Sequence, residues 1–215
     1  MIAIRKRKEP KDLTTYRCSG GTYIGLDTKI KNQMKANLCK EQHGLCAYCM
    51  RRVSCNEVED PCGTIEHYIP QSCPQGQSLQ LDWNNLLFVC NGHAQGPLGE
   101  TTCDKHKGDS RLSFDPQKQS CIDTLSYTRR GKIESTDSHY NKELNDILNL
   151  NNKTFRLNRQ QVYKTLTEEL SKENSFSLGK LRKKKQLLLA EDSYVPYIGV
   201  ILYFIDRLIQ KKTGT

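Results

Sequence analysis

The sequence predicts an α+β chain: a small core of short strands and turns held by cysteines, set between an N-terminal helix and a C-terminal helical domain. Three observations carry that expectation. Apolar residues recur at helical spacing before residue 45 and again after residue 139. Cys, Gly, Pro and Asn gather in the stretch between, which is turn chemistry around short strands. That stretch opens with Cys46-Ala47-Tyr48-Cys49, a pair with the spacing of a metal knuckle.

The elements follow in order. Residues 1–45 begin with the basic arm Arg5-Lys6-Arg7-Lys8. A helix then runs from Thr28 to Gln42, with Ile30, Met34 and Leu38 on one face, and Gly44 stops it. Residues 46–135 form the middle region. Gly63 to Ile69 reads as a strand, alternating through Ile65, His67 and Ile69 and ended by Pro70. Ile122 to Tyr127 and Lys132 to Ser135 read as a hairpin turned by Arg129-Arg130-Gly131. Residues 136–215 read as helices over His139–Leu148, Phe155–Ser171, Ser177–Ala190 and Ser193–Lys212.

Composition narrows the class. The 215 residues suffice for one substantial core, but only 36% are hydrophobic, so a metal or a partner is expected to help hold it. Lys and Arg total 33 against 24 acids, a net charge of +9 that suits a polyanion such as nucleic acid. The longest apolar run, Val195 to Ile209, contains Pro196 and Asp206 and falls short of the ~20 residues that span a bilayer, so no membrane role is expected. It reads as a buried or partner-docking helix. The basic N-terminus has no secretory pattern, so the expectation is cytoplasmic, where ten cysteines point to metal rather than disulfides.

Cys46 and Cys49 need two further ligands to close a tetrahedral zinc site. Cys90 and Cys103 supply them, although twelve residues lie between these two. Cys90-Asn91-Gly92-His93 offers a Cys3His alternative without Cys103, and four buried free thiols is the plain alternative to both. Cys18, Cys39, Cys55, Cys62, Cys73 and Cys121 show no pairing logic. Interleaved with the ligand pairs stand Glu66-His67, then Asn85, then Asp104-Lys105-His106-Lys107-Gly108.

In that order these pieces resemble the HNH endonuclease superfamily, whose core is the ββα-metal fold. They look closer still to the PtuB-type HNH proteins of Septu and retron-associated antiphage systems. The shared stretches are Arg5 to Pro10, Leu45 to Cys49, Ile65 to Ser72, Asn85 to Leu87, Ile147 to Asn151 and Leu157-Asn158-Arg159. The likeness spans roughly residues 1–165.

The resemblance implies roles. His67 would be the general base, since a pKa near 6.5 suits the task. Glu66 and Asp104 would bind one hard divalent ion, Mg2+ or Mn2+, and Zn2+ would be structural. Asn85 would hold the loop that orients His67, and Lys107 with His106 would face phosphates. Asp104 stands where the family often has Asn or His, and it adjoins Cys103, which favours Cys103 as the fourth zinc ligand. Asn91 to Thr102 is an insertion into the knuckle. On a strand Glu66 and His67 point to opposite faces, so a β-bulge or twist is expected to bring both to one phosphate, unless the ion reaches Glu66 from the far side of the hairpin edge.

The resemblance also implies a defence nuclease working beside a PtuA-type ATPase, with DNA as default substrate and RNA such as tRNA permitted. The alternative from another class is a non-catalytic, zinc-dependent nucleic-acid adaptor. The run Lys180 to Lys185 reads first as a solvated face.

Overall fold

The computed structural model describes residues 1–54, 63–92, 101–172 and 177–214. His93, Cys55, Cys62 and most of the Asn91–Thr102 insertion lie outside them.

The chain enters as an extended segment that is docked rather than free. Ile4 N–H donates to the Pro116 carbonyl at 2.9 Å. Lys6 pairs with buried Glu41, donates to the Leu86 carbonyl at 2.8 Å and sits 4.5 Å over the Trp83 ring. One lysine of the expected basic arm is therefore a structural tie. Helix α1 (Lys11–Cys18) follows, then α2 (Thr28–Glu41), whose N-cap Asp27 accepts from Ile30 N–H at 2.8 Å. Ile30, Met34 and Leu38 of α2 are buried, as their spacing requires.

Strand β1 (Gly63–His67) is followed by the short helix α3 (Pro74–Ser78) and strand β2 (Leu86–Cys90). β1 and β2 pair antiparallel, with Glu66 opposite Leu87 and His67 opposite Leu86. Every residue of β2 is buried, so it shows no alternation to read in the sequence. Its outer edge is capped from the other side: Gln42 bonds both Phe88 backbone groups, at 2.6 and 2.8 Å, and Ala47 N–H shares the Phe88 carbonyl at 3.0 Å.

Helix α4 (Cys103–Lys107) comes next, then α5 (Gln119–Ile122) and the hairpin β3 (Leu125–Tyr127) and β4 (Ile133–Ser135). The expected first hairpin strand is shorter because Ile122 belongs to α5. Helix α6 (Ser138–Lys142), capped by Asp137, runs into a π-helical turn over Glu143–Ile147. Long α7 (Lys153–Lys172), α8 (Leu178–Ala190) and α9 (Ile198–Thr213) complete the chain.

Helix α9 starts later than its apolar pattern suggests, because Pro196 and Tyr197, the latter left-handed at φ 58°, precede its first turn. α9 packs on α7, α8 and β3; Ile205 is buried against α7 and α8, Ile198 and Val200 join the main core, and Gly199 lies against the Met1 backbone. Much of its apolar surface is thus satisfied within the chain. Lys184 and Lys185 of the basic run pair with Glu169 of α7 at 2.7 Å and Asp206 of α9 at 2.6 Å. One buried cluster takes side chains from both ends of the chain as well as the middle: Met1, Leu38, Phe88, Leu148 and Val200 all belong to it. No helix among the described residues is long and apolar enough to cross a membrane.

Candidate active site

The cysteines that the spacing singled out meet. The sulfurs of Cys46, Cys49, Cys90 and Cys103 all lie within 4.8 Å of one another, and all four residues are buried. Cys46 and Cys103 are 3.9 Å apart, as are Cys49 and Cys90. A tetrahedron with metal–sulfur bonds of ~2.3 Å has edges of about 3.8 Å. The donor set therefore fits a tetrahedral thiophilic ion. Burial pushes the Cys49 and Cys103 thiols up; at Cys46 the hydrogen bonds from Cys103, Cys49 and Cys90 outweigh burial and pull it down.

Local backbone explains why four distant cysteines converge. Met50, at φ 62°, closes the first turn, with its N–H on the Cys46 carbonyl at 3.0 Å. Cys90 ends β2 and Cys103 opens α4. Cys103 is itself left-handed at φ 52°, a conformation costing a non-glycine residue roughly 1–2 kcal/mol. It is held from outside: its N–H donates to the Leu148 carbonyl at 3.0 Å, and Asn149 Nδ2 donates to the Thr101 carbonyl at 3.0 Å.

Asp104 and Lys107 ride on that same helix, so the cysteine cluster fixes where they point. Glu66, in β1, faces them. Its Oε1 is 2.8 Å from Lys107 Nζ and accepts from the Tyr48 hydroxyl at 3.1 Å. Asp104 lies close enough to Glu66 to disfavour its negative charge. Burial, then the Asp104 contact, push Glu66 up to about 8 despite Lys107. A buried carboxyl beside a half-buried one resists a shared negative charge, and a multivalent cation relieves it. Lys107 is 2% exposed, so its ammonium lies inside the site rather than on the surface. His106 is exposed and turned away, its Nδ1 2.9 Å from the Ile147 carbonyl.

No bulge breaks the β1–β2 ladder, which removes the bulge from that expectation and leaves the twist and the far-side approach to Glu66. His67 is the last residue of β1, and the chain turns immediately after it. Its Nε2 lies 3.0 Å from the Gln80 carbonyl, which selects the tautomer with the proton on Nε2 and leaves Nδ1 as the acceptor. Burial lowers the His67 pKa, keeping the ring neutral near pH 7. Asn85 clamps the turn: Oδ1 accepts from Ile69 N–H at 2.7 Å, and Nδ2 donates to the Ile69 and Leu79 carbonyls at 3.2 and 3.3 Å.

Two site residues were not singled out from sequence. Tyr48 stands between Cys46 and Cys49, where the spacing alone gives it no role. Tyr23 packs edge-on against the His67 ring, with centroids 4.5 Å apart, and carries Lys31 Nζ 5.0 Å over its face. It comes from the Gly-rich loop between α1 and α2, where no periodicity marks it.

No family model matches the chain. It is similar to an Escherichia coli protein named "Retron Ec83 putative HNH endonuclease", with 31% identity over 113 residues. The match covers 50% of this chain and 37% of that protein, so the chain spans well under half of its relative's length.

Proposed function

We propose that this chain is a metal-dependent HNH-type endonuclease, built on a ββα-metal core that a structural Zn2+ holds through Cys46, Cys49, Cys90 and Cys103. What supports this reading is Glu66 beside Asp104 and Lys107, on elements next to the four-cysteine cluster, with His67 following Glu66 at the end of β1. The relative's name supports it.

His67 is the general base: Nδ1 takes a proton from the attacking water while the Gln80 carbonyl holds Nε2–H. Asn85 keeps that ring in place through the 69–79 turn. Glu66 and Asp104 hold one Mg2+ or Mn2+, which when bound supplies stabilisation of charge at the phosphate and leaving oxygen. Lys107 reaches a phosphate by exchanging its Glu66 contact for the substrate, and the phosphate role expected of His106 would require its ring to leave the Ile147 carbonyl.

DNA is the proposed substrate, with RNA such as tRNA the alternative, since hydrolysis by external water needs no 2′-hydroxyl. The proposed setting is antiphage defence, with a PtuA-type ATPase as partner, on the strength of the resemblance and of the retron relative. The test is incubation of plasmid DNA and of total cellular RNA with the pure protein, and with its co-purifying partners, over a titration of Mg2+ or Mn2+. Product that scales with the ion supports the reading. Tight, salt-sensitive binding with no product at any ion concentration would instead make the chain an adaptor.

A further inference from the structure

A hollow of about 780 Å3 opens among β3, α7 and α9, in a part of the molecule that shares no lining residue with the carboxylate site. That volume is within the ~300–1,000 Å3 typical of ligand pockets. Four aromatic rings line it and touch in series. Tyr127 meets Tyr203 at 5.7 Å between centroids, Tyr203 meets Phe204 at 5.2 Å, and Phe204 meets Tyr163 at 4.4 Å. Tyr163, Tyr203 and Phe204 are only partly buried, so ring surface faces the hollow. Tyr203, Arg207 and Lys211 stand at i, i+4 and i+8, which puts an aromatic ring and two cations on one stripe of α9. Exposed Arg129, from the β3–β4 turn, completes a set of three cations. Among the described residues no carboxylate lines this hollow.

Aromatic faces beside unopposed cations suit a ligand that carries both a flat π system and negative charge. We propose that this hollow is a second nucleic-acid site, one that takes single-stranded nucleotides by stacking bases on Tyr203 and Phe204 and pairing phosphates with Arg207, Lys211 and Arg129. A strand fits better than a free nucleotide for a geometric reason. A neighbouring hollow of about 570 Å3 shares Tyr127, Tyr203, Arg207 and Gln210 with the first, so the platform continues past one nucleotide. The second hollow is less cationic: Arg5 and Arg207 line it with Asp123 and with the Lys185–Asp206 ion pair. The site is independent of the nuclease reading, because stacking and charge pairing require no cleavage.

The experiment measures binding of the full chain to a fluorescent ten-nucleotide oligo-dT, and to AMP, without added divalent ion and across a salt series. Because α9 supports the core, the informative variants are the exposed ones, Arg207→Gln with Lys211→Gln, alongside Phe204→Leu, which keeps apolar bulk. The double neutralisation is expected to flatten the slope of log K against log salt by about 1.4, two phosphate contacts of a single strand. Phe204→Leu is expected to weaken binding roughly tenfold in a chain that stays folded, with a modest fall in melting temperature from the lost contacts with Tyr163 and Tyr203. Iodouracil oligonucleotides are expected to cross-link to peptides carrying Tyr203 or Phe204. Oligonucleotide binding that is much tighter than AMP supports the strand; equal affinities keep the nucleotide site and assign it to free nucleotides. An unchanged salt slope in the double variant, or cross-links confined to peptides around His67 and Asp104, would overturn the proposal. Loss of cleavage in any variant bears only on the nuclease reading.

Discussion

At the scale of single residues, most of the proposed site rests on side chains that hold other side chains. Asn85 makes three hydrogen bonds to the 69–79 turn and touches no reacting atom. Asn85→Ala should cost roughly 2–4 kcal/mol, since it also strands the Ile69 N–H. Urea unfolding reads the stability, and cleavage should fall because His67 loses its support. Tyr48→Phe is the milder case. It removes the donor to Glu66 Oε1 and keeps the buried ring, so stability should drop by only about 1 kcal/mol. The midpoint of divalent-ion activation should nonetheless move, because Glu66 then loses one of the groups that orient it. An unmoved midpoint with full stability would show that Tyr48 is filler. His67, Glu66, Asn85 and Asp104 were legible because each is a polar residue in an ordered motif. Tyr23 was not legible, since a tyrosine in a Gly-rich loop carries no sign of what it will touch. The Lys107–Glu66 ion pair was equally hidden, because a lysine at the end of a five-residue helix reads as exposed until the strand opposite is placed.

At the scale of elements, the four-cysteine cluster ties a turn, the end of β2 and the start of α4 into one unit; Asp104 rides on α4, and Glu66 stands on β1, the strand paired with β2. Metal binding to thiolate knuckles of this kind is worth on the order of 10 kcal/mol, comparable with the whole stability of a small domain. Cys46→Ser should therefore unfold the middle region, with loss of about one zinc per chain by elemental analysis. A folded, metal-free Cys46→Ser protein would show that the convergence of sulfurs is incidental. The separation of Cys90 from Cys103 left His93 open in the sequence; the fold favours Cys103, because the Leu148 carbonyl holds its backbone in the conformation that aims its sulfur at the cluster. Helical periodicity located α2, α7 and α8 within a few residues. It failed for β2, which is buried on both faces and has no alternation to detect, and for α4, whose five residues are too short for a period. The start of α9 was misplaced because Pro196 and a left-handed Tyr197 interrupt an apolar run that composition alone reads as continuous.

At the scale of the whole molecule, the C-terminal helices brace the candidate site. Tyr197 N–H donates to the Met50 carbonyl at 2.8 Å, tying the entry of α9 to the knuckle turn, and Asn158 Nδ2 donates to the Tyr197 hydroxyl at 3.0 Å. Arg159 binds the Gly131 and Leu150 carbonyls, each at 2.7 Å, joining the β3–β4 hairpin to the segment that supports α4. Those contacts give structural work to the Asn149–Asn151 and Asn158-Arg159 stretches that sequence alone only matched to a pattern. Ile205→Ala, at a fully buried position between α7 and α8, should cost roughly 2–5 kcal/mol in thermal or chemical unfolding. Truncation after Ala190 should likewise prevent folding; a truncated chain that folds and loses only a protein partner would return α9 to a docking role. The central claim is that His67 drives hydrolysis at a divalent ion held by Glu66 and Asp104. Single-turnover cleavage of bound nucleic acid by wild type and by His67→Ala, at saturating Mg2+ or Mn2+, tests it most directly. The account predicts equal zinc content and substrate affinity, with cleavage slowed on the order of a hundredfold or more in the variant. Equal cleavage rates for the two proteins would contradict it.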